Sequence, residues 1–412
     1  MEKPRVSTNP ELPATAPGRA AGPGDITGET TAPDPSGRDR YLDLLRAIAL
    51  LRIMAYHTFS GVAWITLVFP SMGVMFALAG SLMARSLERP ALGVLKSRTR
   101  RLLLPLWIYS ATVVLLLLGE GWTPDQEEGR SWLEMLLWFI PLGDPPYPDT
   151  VGSDDGLLDS NWAHEAGVIL WYIRAYFWFM LLSPLLLAAF RRLPWITLAA
   201  PLGLLVPIVA GWVELPTWAE SGISDFATFG SCWVLGFAHY SGLLRTIPIW
   251  TVFSAGPVMM ALGLLWVAPE LEEAAWDLNN VSGGGGLWAL GFSAMLLRVS
   301  PSWKSLPRPI RFLDKPVTLI NNRAVTIYLW HTLLLSFTYT IVDLLWNFDL
   351  IGENLPWLLD SQWTIFVGMW LLLAIVFLAV GWVEDVAAKR RPRLWPDSEP
   401  NRSGRPARAR AT

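Results

Sequence analysis

Apolar and polar residues alternate along this chain in long blocks rather than with the short period of a soluble helix or strand. Apolar runs lie near residues 43–63, 67–84, 102–119, 166–190, 194–212, 226–242, 248–268, 284–298, 321–346 and 362–383. A helix needs about 20 mainly apolar residues to cross a hydrocarbon core of roughly 30 Å, so the second and eighth runs are the tightest fits. The blocks predict an all-α, polytopic membrane protein with about ten transmembrane helices, contained in one domain over 41–385. The stretch WLEMLLWFIP at 132–141 is too short to cross and reads as a re-entrant or interfacial segment. Residues 1–40 mix Pro, Gly, Thr and Ala with scattered charge, and lack the apolar core of a secretory signal peptide. Residues 386–412 are equally biased and basic. Both stretches are expected as disordered cytoplasmic tails.

Charge gives an independent check, because Lys and Arg should gather in every second connection if the spans are counted correctly. The connection after the second run holds Arg85, Arg89, Lys96, Arg98, Arg100 and Arg101. The next holds Asp125, Glu127, Glu128, Asp144, Asp149, Asp154, Asp155 and Asp159 with a single Arg130. Arg191 and Arg192 follow the fourth run, Glu214 and Glu220 the fifth, Arg245 the sixth, and Glu270, Glu272 and Glu273 the seventh. Lys304, Arg308, Arg311 and Lys315 precede the ninth, Asp349, Glu353 and Asp360 the tenth, and Lys389, Arg390 and Arg391 follow it. This alternation predicts cytoplasmic N and C termini and a multi-pass protein of the cell membrane.

Composition narrows the function classes. With 52% hydrophobic residues, 16% charged and 24 Trp, the chain suits a bilayer and its interfaces. A net charge of −3 offers no basic face to nucleic acid. The lone Cys232 excludes an internal disulfide and a multi-Cys zinc site, and reads as a small buried hydrophobe. No two of the four histidines have the i, i+4 spacing of a metal site, so no metal is expected. No internal repeat is visible, which withholds support from a transporter or lipid flippase, the rival reading for a many-helix chain with intramembrane charge.

An ionisable side chain at the centre of a span costs roughly 2.5 to 3.5 kcal/mol on insertion scales, so each needs a partner or a task. The first run holds Asp43, Arg46, Arg52 and His57. Asp43 and Arg46 are spaced to pair on one helical face. Arg46 and His57 lie eleven residues apart, which returns the side chain to within about 20° and some 16 Å further along the axis. The two therefore line one stripe. Arg52 falls off it and reads as a bundle-facing cation paired with a carboxylate or a helix end. A histidine in an apolar helix serves either as a hydrogen-bonded packing residue or as a base, since burial favours the neutral imidazole that can accept a proton. His331, in IYLWH, is a second pocket residue or a core hydrogen-bonder. Arg98 and Arg101 share one face at the start of the third run, either as a lipid-phosphate anchor or as a dock for a phosphate-bearing donor. Trp171, Arg174 and Trp178 stack along another stripe, with Arg174 expected over aromatic faces.

These motifs, taken in order, resemble the type 3 membrane acyltransferase family. Arg46, then AIALLRIMAY, then His57 matches its Arg, ten-residue gap, His pattern; FPSMGVMFALAGSLMARS looks like its second span, SRTRR at 97–101 like its Arg-x-x-Arg motif, LWY at 170–172 like its fourth-span signature, and IYLWH like its late one. The resemblance covers about residues 41–385. It implies acyl-coenzyme A as co-substrate arriving from the cytoplasm, with no permanently bound cofactor. It implies His57 and Arg46 as catalytic residues and Arg98 and Arg101 as donor-binding residues; Trp171, Tyr172, Arg174 and His331 are expected beside them as the substrate pocket. The acceptor is then a hydroxyl on a glycan, glycolipid or metabolite, reaching a pocket among membrane lipids. The sequence departs from the family after LWY, where many relatives carry an acidic residue on the next turn and Arg174 stands here.

Overall fold

A computed structural model describes residues 39–126, 131–152, 158–279 and 283–393. Residues 1–38 and 394–412, which hold most of both expected tails, lie outside the described residues, as do Glu127, Glu128, Arg130, Asp154 and Asp155 of the acidic connection.

Among the described residues the chain is helical, without strands. Each of the ten apolar runs contains a helix: α1 (Arg40–Thr58), α2 (Ser71–Ser86), α3 (Ala91–Gly119), α4 (Leu170–Arg192), α5 (Pro194–Val209), α6 (Thr217–Tyr240), α7 (Ile249–Leu271), α8 (Gly284–Arg298), α9 (Ala324–Trp346) and α10 (Gln362–Ala379). A short α11 (Trp382–Ala387) follows. Local chemistry sets several ends. The Asp39 side chain caps α1 by accepting from Tyr41 N–H at 2.9 Å, and Pro194 opens α5 where its missing N–H is not needed.

Among the described residues, six helical segments are long and apolar enough to cross a membrane by length and composition: Ile65–Ser86, Ala91–Gly119, Trp162–Arg192, Ile249–Leu271, Ala324–Trp346 and Gln362–Ala379. Of the other four runs, α5 and α8 have 16 and 15 residues, and α1 and α6 carry intrahelical charge. In α10, Ile365, Met369, Leu373 and Phe377 are buried at four-residue spacing, whereas Val367, Leu371, Ile375 and Leu378 on the other face are exposed and just as apolar. Water would not tolerate so large a bare apolar surface, but lipid does.

The bundle closes through small residues. Helices α2 and α6 pack extensively, as do α7 and α8. A Cβ added at Gly80 would lie 2.1 Å from the Trp233 carbonyl oxygen, and one at Gly236 would lie 2.2 Å from that of Ala77. The backbones touch there because neither residue has a side chain. Around this crossing Phe76 is fully buried, with its ring centroid 4.9 Å from Tyr172, 5.0 Å from Phe179 and 5.2 Å from Phe229. Cys232 is buried and free, as a small hydrophobe should be. The short segment expected not to cross forms a 3-10 helix over Trp132–Trp138, tied down where buried Trp138 donates its indole N–H to the Pro146 carbonyl at 2.9 Å.

The far end of the domain is pinned under the bundle. Arg323, with no exposed surface, pairs with Asp385 of α11 at 2.8 Å and donates to the Arg393 carbonyl at 3.0 Å. Glu384 accepts from the backbone N–H of Thr326 at 2.7 Å, capping the first turn of α9, and Arg100 of α3 donates to the Ala387 carbonyl at 2.9 Å. Residues 386–393 are thus held against α3 and α9.

Candidate functional site

His57 is the penultimate residue of α1, and the packing of α1 on α9 brings its imidazole to 5.1 Å, centroid to centroid, from that of His331. The planes meet edge to face at 66°. His331 is fully buried, and its Nδ1 lies 2.6 Å from the carbonyl oxygen of Tyr328. A carbonyl only accepts, so Nδ1 carries the proton and Nε2 is left with its lone pair. That Nε2 is buried and has no hydrogen-bond partner among the described residues. His57 is part-exposed, so the pair opens outward on the His57 side. A nitrogen acceptor sealed beside a second imidazole, with one ring reachable from outside the core, is an arrangement able to orient a base and move a proton.

From this pair a line of rings runs to the arginines singled out in the sequence. Tyr328, one turn before His331, lies 5.7 Å from its ring and 5.0 Å from Tyr172 of α4, and donates its hydroxyl to the Ile169 carbonyl at 2.7 Å. Arg46 stands within electrostatic reach of the Tyr172 hydroxyl. Tyr176, one turn along α4 and 6.4 Å from Tyr172, accepts from Arg98 at 3.1 Å. Arg98 also donates to the Leu82 carbonyl at 2.9 Å and the Ser86 hydroxyl at 2.8 Å, so α3 holds α2 and α4 together there. Arg101 is exposed and sits among Arg390, Arg98, Arg100 and Arg89.

The structure therefore brings His57, His331 and Tyr172 into one cluster with Arg46 at its edge. Arg98 joins through Tyr176, while Arg101 faces outward in a cationic patch. Trp171 stacks on Phe229 at 5.6 Å as part of the aromatic wall. Arg174 departs from the expected packing over aromatic faces: it forms ion pairs with Asp144 and with Asp225, the latter at 2.7 Å. The reason is tertiary, since a loop carboxylate and one from α6 converge on it. Asp43 pairs with Arg40 at 3.1 Å.

Three site residues escaped the sequence reading. Tyr328 and Tyr176 carried no signal beyond aromatic spacing. Asp277, in the connection after α7, is buried and accepts the hydroxyl of Tyr56, whose ring lies 5.0 Å from His57. It reaches that position after Ala275 and Trp276, both left-handed at φ 50° and 63°. A sequence does not announce such a turn in non-glycine residues. Among the described residues no three His, Cys, Asp or Glu converge as a metal site.

A family model described as an acyltransferase domain matches residues 39–383. No curated protein and no solved structure matches the chain.

Proposed function

The chain belongs to the acyltransferase 3 family, and from that premise we propose that His57 is the general base of a membrane O-acyltransferase. The donor is acyl-coenzyme A, with acetyl the simplest acyl group, and the acceptor is a hydroxyl on an envelope glycolipid, saccharide or related molecule. All ten long helices cross the cell membrane in this reading, with α5 and α8 as short apolar spans and α1 and α6 carrying charge within theirs. Both termini face the cytoplasm, as the alternation of basic and acidic connections requires.

The observation that carries the reading is the 5.1 Å approach of the His57 ring to that of His331, whose Nε2 has no hydrogen-bond partner among the described residues. In the proposed mechanism one ring N–H of His57 donates to that nitrogen, which fixes the tautomer and leaves the other ring nitrogen of His57 to accept a proton. His331 thereby takes the orienting part that a carboxylate plays elsewhere. The acceptor hydroxyl gives its proton to His57 as its oxygen attacks the thioester carbon. The tetrahedral centre collapses with cleavage of the C–S bond, and His57 returns the proton to the departing thiolate. Arg98 and Arg101 meet the phosphates of the donor at the cytoplasmic side, and the line of tyrosines connects them to the histidines.

The test is incubation of purified protein with labelled acetyl-coenzyme A and a crude envelope extract. His57→Ala should lower label transfer by about 10²- to 10⁴-fold, the usual worth of general-base catalysis, while eluting as a folded species in detergent. Undiminished transfer by that variant would reject His57, and movement of extract components without labelling would indicate a transporter.

A further inference from the structure

The first helix holds, besides Arg40 and Arg46, an arginine that the family pattern leaves without a task. Arg52 is 7% exposed, and its Nε and Nη2 have no hydrogen-bond partner among the described residues. Its Cζ lies 5.3 Å from the centroid of the Tyr56 ring, four residues on, and that ring lies 5.0 Å from His57. Both Asp277 and His57 are within electrostatic reach of it. Asp277 also receives the Tyr56 hydroxyl and accepts from the Asn279 backbone N–H at 2.9 Å. Carboxylate, phenol ring and guanidinium therefore brace one another beside the imidazole. What they leave unfilled is two strong donors in a desolvated setting, which a fold does not keep without a counterpart.

Position along the helix favours Arg52 over Arg46 as the cation at the reacting centre. Arg46 is eleven residues from His57, some 16 Å of helix rise, and stands by Tyr172. Arg52 is five residues away, about 7.5 Å of rise and roughly 140° around the axis, and its long side chain meets the surroundings of His57 across the Tyr56 ring, which neighbours both.

We propose that Arg52 is a catalytic residue whose two free N–H groups hold the thioester carbonyl oxygen as it becomes an oxyanion, with Tyr56 and Asp277 fixing the guanidinium. The assignment rests on the acyl-transfer reading above. As the acceptor oxygen bonds to the carbonyl carbon and its proton passes to His57, the π pair of the C=O bond moves onto oxygen and is held by Arg52. The pair returns when the C–S bond breaks, and the thiolate takes the proton from His57.

The experiment compares wild type, Arg52→Met and Arg52→Lys for label transfer from acetyl-coenzyme A to a crude envelope extract, and for thermal midpoint in detergent. Arg52→Met should lose about 10²- to 10³-fold in turnover at saturating acetyl-coenzyme A, with its KM nearly unchanged, because the donors act in the transition state. Its thermal midpoint should fall modestly, since the buried Asp277 carboxylate loses a nearby cation while keeping its hydrogen bonds from Tyr56 and Asn279. Arg52→Lys should recover part of the turnover. Arg52→Met turning over like wild type would overturn the assignment. Should Arg52→Met fail to fold, Arg52→Met with Asp277→Asn removes the stranded carboxylate: low turnover in that folded double variant supports the role, and wild-type turnover ends it. A wild-type protein that yields no labelled product would remove both the acyl-transfer reading and this one. Product from wild type and Arg52→Met alike would remove only this one.

Discussion

Arginines in this protein share a side chain but not a situation, and their variants should separate accordingly. Arg98 is spent on three hydrogen bonds to α2 and α4, whereas Arg101 is exposed in a cationic patch. Arg98→Gln should therefore lower the thermal midpoint as well as weaken acetyl-coenzyme A binding, since a hydrogen bond from a charged group is worth about 1.5 to 3 kcal/mol. Arg101→Gln should weaken binding alone, and calorimetry beside a melting curve on each variant distinguishes the two. Unaltered affinity in both would remove them from the donor site. Arg323 is a third case. It is sealed from solvent against Asp385, so Arg323→Ala leaves that carboxylate short of its main partner and should destabilise by about 3 to 5 kcal/mol.

At the level of the helix, close approach and capping do most of the work. The α2–α6 crossing exists because Gly80 and Gly236 allow backbone to meet backbone, so Gly80→Leu should force the pair apart and abolish a monodisperse detergent peak. The α11 clamp should give a measurable pH response. Burial raises the carboxyl of Glu384 from its ordinary 4.5 to about 7, outweighing the hydrogen bonds from Thr326 that favour the anion. A carboxyl raised in the folded state binds its proton more tightly there than in the unfolded chain. Its contribution is complete below about pH 4.5 and is lost as pH rises through about 7. Melting curves at pH 5 and pH 8 should show the native protein losing midpoint across that window and Glu384→Gln losing less. Equal pH slopes would show that the group does not titrate as its burial dictates.

For the whole molecule, the bilayer is the organising solvent. Outward faces as apolar as inward ones, as on α10, make sense only in lipid, and the basic connections then choose the side. Because Cys232 is buried, cysteines introduced at exposed Ser131 and Lys304 give a clean orientation assay. An impermeant maleimide on intact cells should label Ser131→Cys and spare Lys304→Cys until the membrane is opened. The reverse pattern would invert the topology and with it the cytoplasmic approach of the donor.

The sequence by itself determined the helices, because block hydrophobicity and proline and glycine placement are local properties, and it picked out Arg46, His57 and His331 because a polar group within an apolar run is conspicuous. It set the family through motifs on separate helices. Only the tertiary structure decided that His57 meets His331, that Arg174 belongs to Asp144 and Asp225 rather than to aromatic faces, and that Asp277 sits behind Tyr56. Those facts depend on which faces of distant helices come together and on a left-handed turn at Ala275 and Trp276. Such choices are made by packing between elements that are separate in sequence, and no local pattern encodes them.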